Sequence, residues 1–184
     1  MRVRPANISI QPLTLATYPE PVLKQVAGLV RFPLNEQELA WIERLRFTML
    51  EAQGVGIAAP QAGKSWQLMI VASKANQRYP DAPNLPAFEI CNPKIVAYSE
   101  QQELGWEGCL SVPGKRAKIA RASEIMLRYQ NVQGEYLEAR YSGFVARIIQ
   151  HEYDHLQGIC IVERVPDAAC LISEQDYQQQ FMPQ

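Results

Sequence analysis

The chain lacks most of the features that assign a sequence quickly to a class. Its 184 residues hold no apolar run of membrane-spanning length, and no apolar stretch follows the N-terminus. The expectation is therefore no membrane partner. Lysine plus arginine number 18 against 19 acids, for a net charge of −1, with no basic run. Direct nucleic-acid binding through a positive surface is not expected. Cys91, Cys109, Cys160 and Cys170 form no C-x-x-C pair and no dense framework, which suits a reducing compartment. Arg2 and Arg4 precede any acid, a faint echo of an organellar leader, but Pro5, Pro12 and Pro19 suit an extended arm better. A bacterial cytoplasm is expected rather than an organelle. No internal repeat is apparent. What remains is an ordinary globular composition, 47% apolar and 20% charged, at a length that suits one domain.

Histidine is scarce as well, and its placement is informative. The two histidines stand four apart in Gln150-His151-Glu152-Tyr153-Asp154-His155-Leu156-Gln157-Gly158. Residues four apart share one helix face, so His151 and His155 can grip one divalent metal with Glu152 beside it as proton carrier. Val145, Ile148, Ile149, Glu152, His155 and Leu156 recur at helical spacing and predict the buried stripe of an amphipathic helix. Glu152 and His155 thus fall where apolar residues belong. Burying them without partners would cost several kcal/mol, about the penalty of an unsatisfied polar group, so a metal or another partner is required. Ser142 is expected to cap this helix and Gly158 to end it.

The rest predicts a mixed order of elements. A short helix is expected between Tyr18 and Gly28, with Pro21 in its first turn. Asn35 and Glu38 form a capping box ahead of Leu39, Ile42, Leu45, Met49 and Leu50, a longer helix that fails at Gly54. Gly54-Val55-Gly56-Ile57-Ala58-Ala59-Pro60-Gln61 has little side chain, so another backbone can approach it. Strands are expected at Gln67–Ala72, Phe88–Cys91, Lys94–Tyr98, Lys118–Ala120, Glu124–Tyr129, Glu135–Tyr141 and Ile159–Val162. A hairpin turn is expected at Asn131–Gly134, and Ser73–Pro86 reads as a surface loop. Cys109 follows Gly108 in an expected turn that would present its sulfur openly. The fold class is α+β, a single domain of antiparallel or mixed strands around a central metal-binding helix. Expected boundaries are an arm at 1–17, a metallohydrolase domain at 18–165 and a polar tail at 166–184.

A catalytic site of this type takes three protein ligands and leaves one position open. The pattern that continues H-E-x-x-H to a third histidine fails, because Ile161 stands where that histidine belongs. Cys109 and, in the manner of thermolysin-like proteases, Glu174 remain as candidate third ligands.

Three ordered segments, Gly54–Gln61, Glu107-Gly108-Cys109-Leu110-Ser111 and Gln150–Gly158, resemble the signature motifs of the peptide deformylase family. Tyr18-Pro19-Glu20-Pro21-Val22-Leu23, Asn92-Pro93 and the Arg116 to Arg121 stretch extend the resemblance over roughly Tyr18 to Glu163. The resemblance implies a hydrolase that removes the N-formyl group from the N-terminal methionine of newly made proteins and releases formate. It implies Cys109, His151 and His155 as metal ligands, with Fe(2+) typical in the cell and Zn(2+), Ni(2+) or Co(2+) also able to occupy the site. It implies Glu152 as proton carrier, and Gln61 and the Leu110 backbone N–H as the oxyanion donors. Substrate contacts would come from Gly54, Gly56, Ile57, Glu107 and Gly108, and from Phe144, Val145 and Ile148 around the methionine side chain. Asp154 and Arg121 are expected to pair behind the ligands, and Glu107 to hold the ligand loop. N-formylmethionyl nascent chains would be the partners, with at most transient proximity to the ribosome. The tail carries Glu174 and Asp176 and no lysine, so it does not support a basic docking helix. Departures from the simplest members are Gly105-Trp106, the long Ser73–Pro86 loop, and Arg147, which is free to meet substrate or solvent.

Overall fold

A computed structural model describes residues 10–75 and 82–181. Parts of the arm, of the Ser73–Pro86 loop and of the tail lie outside the described residues. Three α-helices, α1 (Glu36–Glu51), α2 (Gly143–Leu156) and α3 (Glu174–Phe181), are set among eight strands. The strands are β1 (Gly56–Ala58), β2 (Leu68–Ser73), β3 (Leu85–Tyr98), β4 (Gln102–Cys109), β5 (Val112–Ala122), β6 (Glu124–Gln130), β7 (Tyr136–Ser142) and β8 (Leu171–Ser173). They form two antiparallel sheets, in the orders β1-β2-β3-β6-β7 and β4-β5-β8. The α+β class expected from the sequence is the class observed.

α2 packs against β1, β2, β5, β6 and β7 and so lies between the sheets. The sequence predicts one buried stripe, but a helix in this position is covered nearly all round: Ala146, Ile148 to Glu152 and Asp154 to Leu156 are buried. One apolar cluster joins Ile148, Ile149 and Leu156 to Met69, Ile90, Ile125 and Leu127, and a second joins α1 to Ile57, Leu68 and Ile70. The α1 capping box is present, with the Asn35 side chain accepting from Glu38 N–H and Glu38 accepting from Asn35 N–H.

Two expected strands, Phe88–Cys91 and Lys94–Tyr98, are one long β3. Asn92 sits in it at φ +48°, a left-handed conformation that Asn tolerates. Its carboxamide exchanges hydrogen bonds with the Val30 backbone at 2.8 and 2.9 Å, tying the N-terminal segment to the sheet.

Several local expectations are corrected. The segment Tyr18–Gly28 holds only a 3-10 turn at Pro21–Lys24, because Ala27 N–H donates to Leu156 and Gly28 pairs with Ser65 and Gln67, drawing the chain out straight. Ile159–Val162 is not a strand but leads into a 3-10 turn at Ile161–Glu163, closed by Glu163 accepting from Cys160 N–H at 2.9 Å. Ser142 occupies the N-cap position of α2 without a side-chain hydrogen bond there. The chain enters that helix through Gly143 at φ +55°, whose N–H donates to Ser123. Cys109 ends a strand rather than sitting in a turn, and the turn is Leu110-Ser111, with Cys109 paired to Val112. The polar tail is not featureless: it contains β8, which adds to β5, followed by α3.

Candidate active site

α2 brings its two histidines to the end of β4. Cys109 Sγ lies 3.2 Å from His155 Nε2, and the ligand atoms of Cys109, His151 and His155 all lie within 4.8 Å of one another. All three residues are buried. Two donors about 2.0–2.3 Å from one ion sit about 3.5 Å apart in tetrahedral geometry, so the close Cys109–His155 pair matches such a site. Glu174, the rival third ligand, is elsewhere: its carboxylate accepts from Arg116 Nε at 2.7 Å and Nη2 at 2.9 Å.

Each histidine is steadied through its other nitrogen. His151 Nδ1 lies 2.9 Å from Glu107 Oε2, and His155 Nδ1 lies 3.7 Å from Cys160 Sγ. A carboxylate on Nδ1 leaves Nε2 as the ligand atom and raises its basicity. Burial holds His155 well below the usual histidine range, helped by the positive charges of His151 and Arg121. A neutral ring is the form that binds metal. Burial would also lower His151, but hydrogen bonds to Cys109 and Glu107 and the charge of Glu152 outweigh it and raise the ring.

Glu107 is a junction of charge. It accepts from Arg121 Nε and Nη2, each at 2.9 Å, from Arg147 Nη1 at 2.9 Å, and pairs with His151. Burial alone would raise its carboxyl, yet the Arg121 and His151 hydrogen bonds and charges prevail and hold it well below the usual carboxylate range. Arg121 Nη1 donates to Asp154 Oδ2 at 2.6 Å, and Arg164 closes on Asp154 from outside. Charges buried this deeply are tolerable only when paired, and here each acid meets two or more cations.

Glu152 differs. Its Oε2 is buried with no hydrogen-bond partner among the described residues. Burial, followed in size by the opposing attraction of His151 and then the repulsion of Glu107, brings its carboxyl up to about 7. A Cβ placed on Gly56 would stand 2.4 Å from Glu152 Oε1, so only glycine lets β1 pass this close. An orphaned carboxylate oxygen beside three convergent N and S donors fits a metal and a water between them. Gln61 faces the same point. Its Oε1 accepts from Ala58 N–H at 2.8 Å, which turns Nε2 toward Ser111 Oγ at 3.3 Å and Cys109 Sγ at 3.7 Å.

A cavity opens in front of this group. One wall is Gly54, Val55, Gly56 and Gln61, a second is Trp106, Glu107, Gly108 and Leu110 of the β4 end, and the floor is Phe144, Arg147, Ile148, His151 and Glu152. Ile57 and Val145 do not line it. Alternation along β1 turns Gly56 to the cavity and Ile57 into the core under α1, while Val145 packs on the apolar cluster behind α2. Val55, Trp106 and Arg147 are lining residues that sequence reasoning did not assign. Arg147 is largely buried: besides Glu107 it donates to the Ile119 and Glu103 carbonyls at 3.0 and 2.6 Å. Its spacing, four before His151, was the available signal. Cys160 beside His155 had none.

A family model described as polypeptide deformylase matches residues 12–169. The chain is 49% identical over 155 residues to "Peptide deformylase 2" of Shewanella oneidensis, covering 84% of each chain. It is 41% identical over 159 residues to "Peptide deformylase 2" of Nostoc sp., covering 80% of this chain and 89% of that one. Among solved structures, the class I type b peptide deformylase from Acinetobacter baumannii with Met-Ala-Ser bound superposes with a TM-score of 0.83 at 44% identity, over 85% of this chain and 99% of that one. Peptide deformylase from Thermotoga maritima gives 0.75 at 33%, over 85% and 99%.

Proposed function

The chain belongs to the polypeptide deformylase family, and from that premise we propose how its own residues divide the work. It is a metal-dependent hydrolase that removes the N-formyl group from the N-terminal methionine of newly made proteins and releases formate. The observation that carries the assignment of roles is Glu152 Oε2, buried without a partner among the described residues, beside the convergent Cys109, His151 and His155.

Cys109, His151 and His155 would hold one divalent ion, which when bound acidifies a water and polarises the formyl oxygen. We take Fe(2+) as the ion in the cell; Zn(2+), Ni(2+) and Co(2+) suit the same two nitrogens and one sulfur. Glu152, as carboxylate, accepts the proton of the attacking water and returns it to the departing amine. Gln61 Nε2 and the Leu110 backbone N–H stabilise the negative oxygen that develops as the formyl carbon becomes tetrahedral. Glu107 fixes the His151 ring, and Arg121 with Asp154 fixes Glu107.

β1 and β4 are edge strands of their sheets, and both border the cavity. An extended peptide lying against Gly54, Gly56 and Gly108 is read through its backbone, so many sequences after the methionine are accepted. Phe144 and Ile148 receive the methionine side chain.

Residues 18–165 are proposed as the catalytic domain, with 1–17 an arm and 166–184 appended. The partners are N-formylmethionyl nascent chains. Proximity to the ribosome would be transient, because α3 carries Glu174 and Asp176 and no basic residue. No helix among the described residues is long and apolar enough to cross a membrane, and a bacterial cytoplasm is proposed.

The test is formate release from formyl-Met-Ala-Ser by metal-loaded protein handled without oxygen, beside Glu152→Ala with its bound metal measured. Release by the parent and none by the fully loaded variant is expected; equal release by both would remove Glu152 from its role. With iron bound, activity should be lost in air through oxidation at Cys109, and with nickel it should persist. Equal air stability of the two forms would argue against iron as the labile native ion.

A further inference from the structure

The proposed function leaves the C-terminal helix without a task. α3 is short, polar and has no buried residue, so it would not hold its shape in isolation. It is nevertheless anchored firmly. Glu174 at its start is bidentate to Arg116, whose side chain is 1% exposed. β8, directly before it, pairs Lys115, Arg116 and Ala117 with Ser173, Ile172 and Leu171. The Arg116 guanidinium also lies 4.6 Å from the Tyr177 ring centroid.

The anchored face presents two aromatic rings, Tyr177 and Phe181, four residues apart. Both meet Trp106, at centroid distances of 5.8 and 5.4 Å, and they meet each other at 5.6 Å. Lys118, opposite Trp106 in the β4–β5 register, brings its ammonium within 5.7 Å of the indole. Trp106 is also a wall of the substrate cavity. One indole therefore touches the substrate space on one side and the C-terminal helix on the other.

We propose that α3 is a positioning device for the substrate cavity: Tyr177 and Phe181 hold the Trp106 indole in place, and through it set discrimination for the apolar side chain of the formylated residue. The inference rests on the deformylase reading for the identity of the substrate, but not for the packing. Aromatic pairs stabilise their geometry beyond the area they bury, so losing both frees the indole to rotate toward solvent. Neither residue touches the reacting atoms.

The experiment compares the parent with Tyr177→Ala/Phe181→Ala and with Tyr177→Phe/Phe181→Tyr. For each, kcat and KM are measured on formyl-Met-Ala-Ser and formyl-Ala-Ala-Ser, with metal content. The alanine pair should raise KM for the methionine substrate and cut the methionine-over-alanine preference in kcat/KM about tenfold, the scale expected for a loosened apolar pocket. Its kcat should move much less, and the aromatic pair should restore parental values. An unchanged preference, or a fall in kcat with preference intact, would overturn the proposal. In a Trp41→Phe/Trp66→Phe background, acrylamide quenching reads Trp106 alone, independent of turnover. Quenching should rise in the alanine pair, and no change would refute the packing role even if the parent proved to have another substrate.

Discussion

The two walls of the cavity are built by opposite means. The β1 wall is small and neutral: Gly54, Val55 and Gly56 lead into Ile57, which packs in the apolar cluster of α1 and β2, and its polar contribution is one amide, Gln61, aimed by a backbone N–H. The β4 wall is large and charged: Trp106 and Glu107, just ahead of Cys109 in the chain, are backed by Arg121, Arg147 and, at the end, α3. The first wall works by absence of side chain, the second by locked side chains. A steric insertion should therefore damage the β1 wall most, and removal of a charge the β4 wall.

The largest effect is expected from Gly56→Ala. The added Cβ would stand 2.4 Å from Glu152 Oε1 and 2.8 Å from Ile148 Cγ2, so the proton carrier must move. A displacement near 1 Å costs about 10²-fold in rate, and kcat should fall by that order while metal content stays at the parental level. A kcat within twofold of the parent would break the contrast, since it would mean the β1 wall can yield.

Next in size is Arg121→Ala on the other wall. It leaves Glu107 and Asp154 buried with fewer cations, which costs about 3–5 kcal/mol of stability by comparison with broken buried pairs. His151 loses its firm support, and metal affinity should drop about 10–100-fold. Urea unfolding with metal titration reads both effects; an unchanged midpoint and affinity would show the charge network to be ornamental.

A smaller effect comes with pH. The Glu107 carboxyl is held below the ordinary range in the folded protein, so the folded state binds fewer protons there than the unfolded chain in acid. Its contribution is complete above the ordinary carboxylate range and is lost as pH falls below about 4.5 toward the depressed folded value. Glu107→Gln should flatten that limb of the urea-midpoint profile; an unaltered slope would assign acid sensitivity to other groups. The smallest effect is expected from Arg147→Lys, which keeps one donor for Glu107 but cannot also reach the Ile119 and Glu103 carbonyls. A modest rise in KM is expected, and no change would leave Arg147 a filler beside Gly105.

The same contrast explains what was legible in the sequence. His151, Glu152 and His155 are local in sequence and helical in spacing, so one turn of helix carries most of their geometry. The α1 capping box and the β6–β7 hairpin are local too. The β4 wall depends on contacts between residues far apart. Glu107 gathers Arg121, Arg147 and His151 from two elements, and no spacing rule announces such a meeting. Trp106 against Tyr177 and Phe181 was hidden for another reason: the helix that holds it is polar, and polarity reads as a free tail. Tyr177 and Phe181, four apart, were the trace of a docking face. Ile159–Val162 looked like a strand because β-branched residues favour one, but the Glu163 cap overrode propensity. Ile57 was expected among the substrate contacts, but its side chain packs in the core under α1, an orientation that strand alternation along β1 accounts for.

The central claim is that β4 supplies sulfur and α2 supplies nitrogen to one ion. It is tested most directly by loading Co(2+) into the parent, Cys109→Ala and Glu174→Gln, then recording bound metal and the thiolate-to-cobalt absorption band. The account predicts one ion per chain with the band in the parent and in Glu174→Gln, and loss of both in Cys109→Ala. Retention of a full-strength band without Cys109, or loss of metal with Glu174→Gln alone, would contradict it.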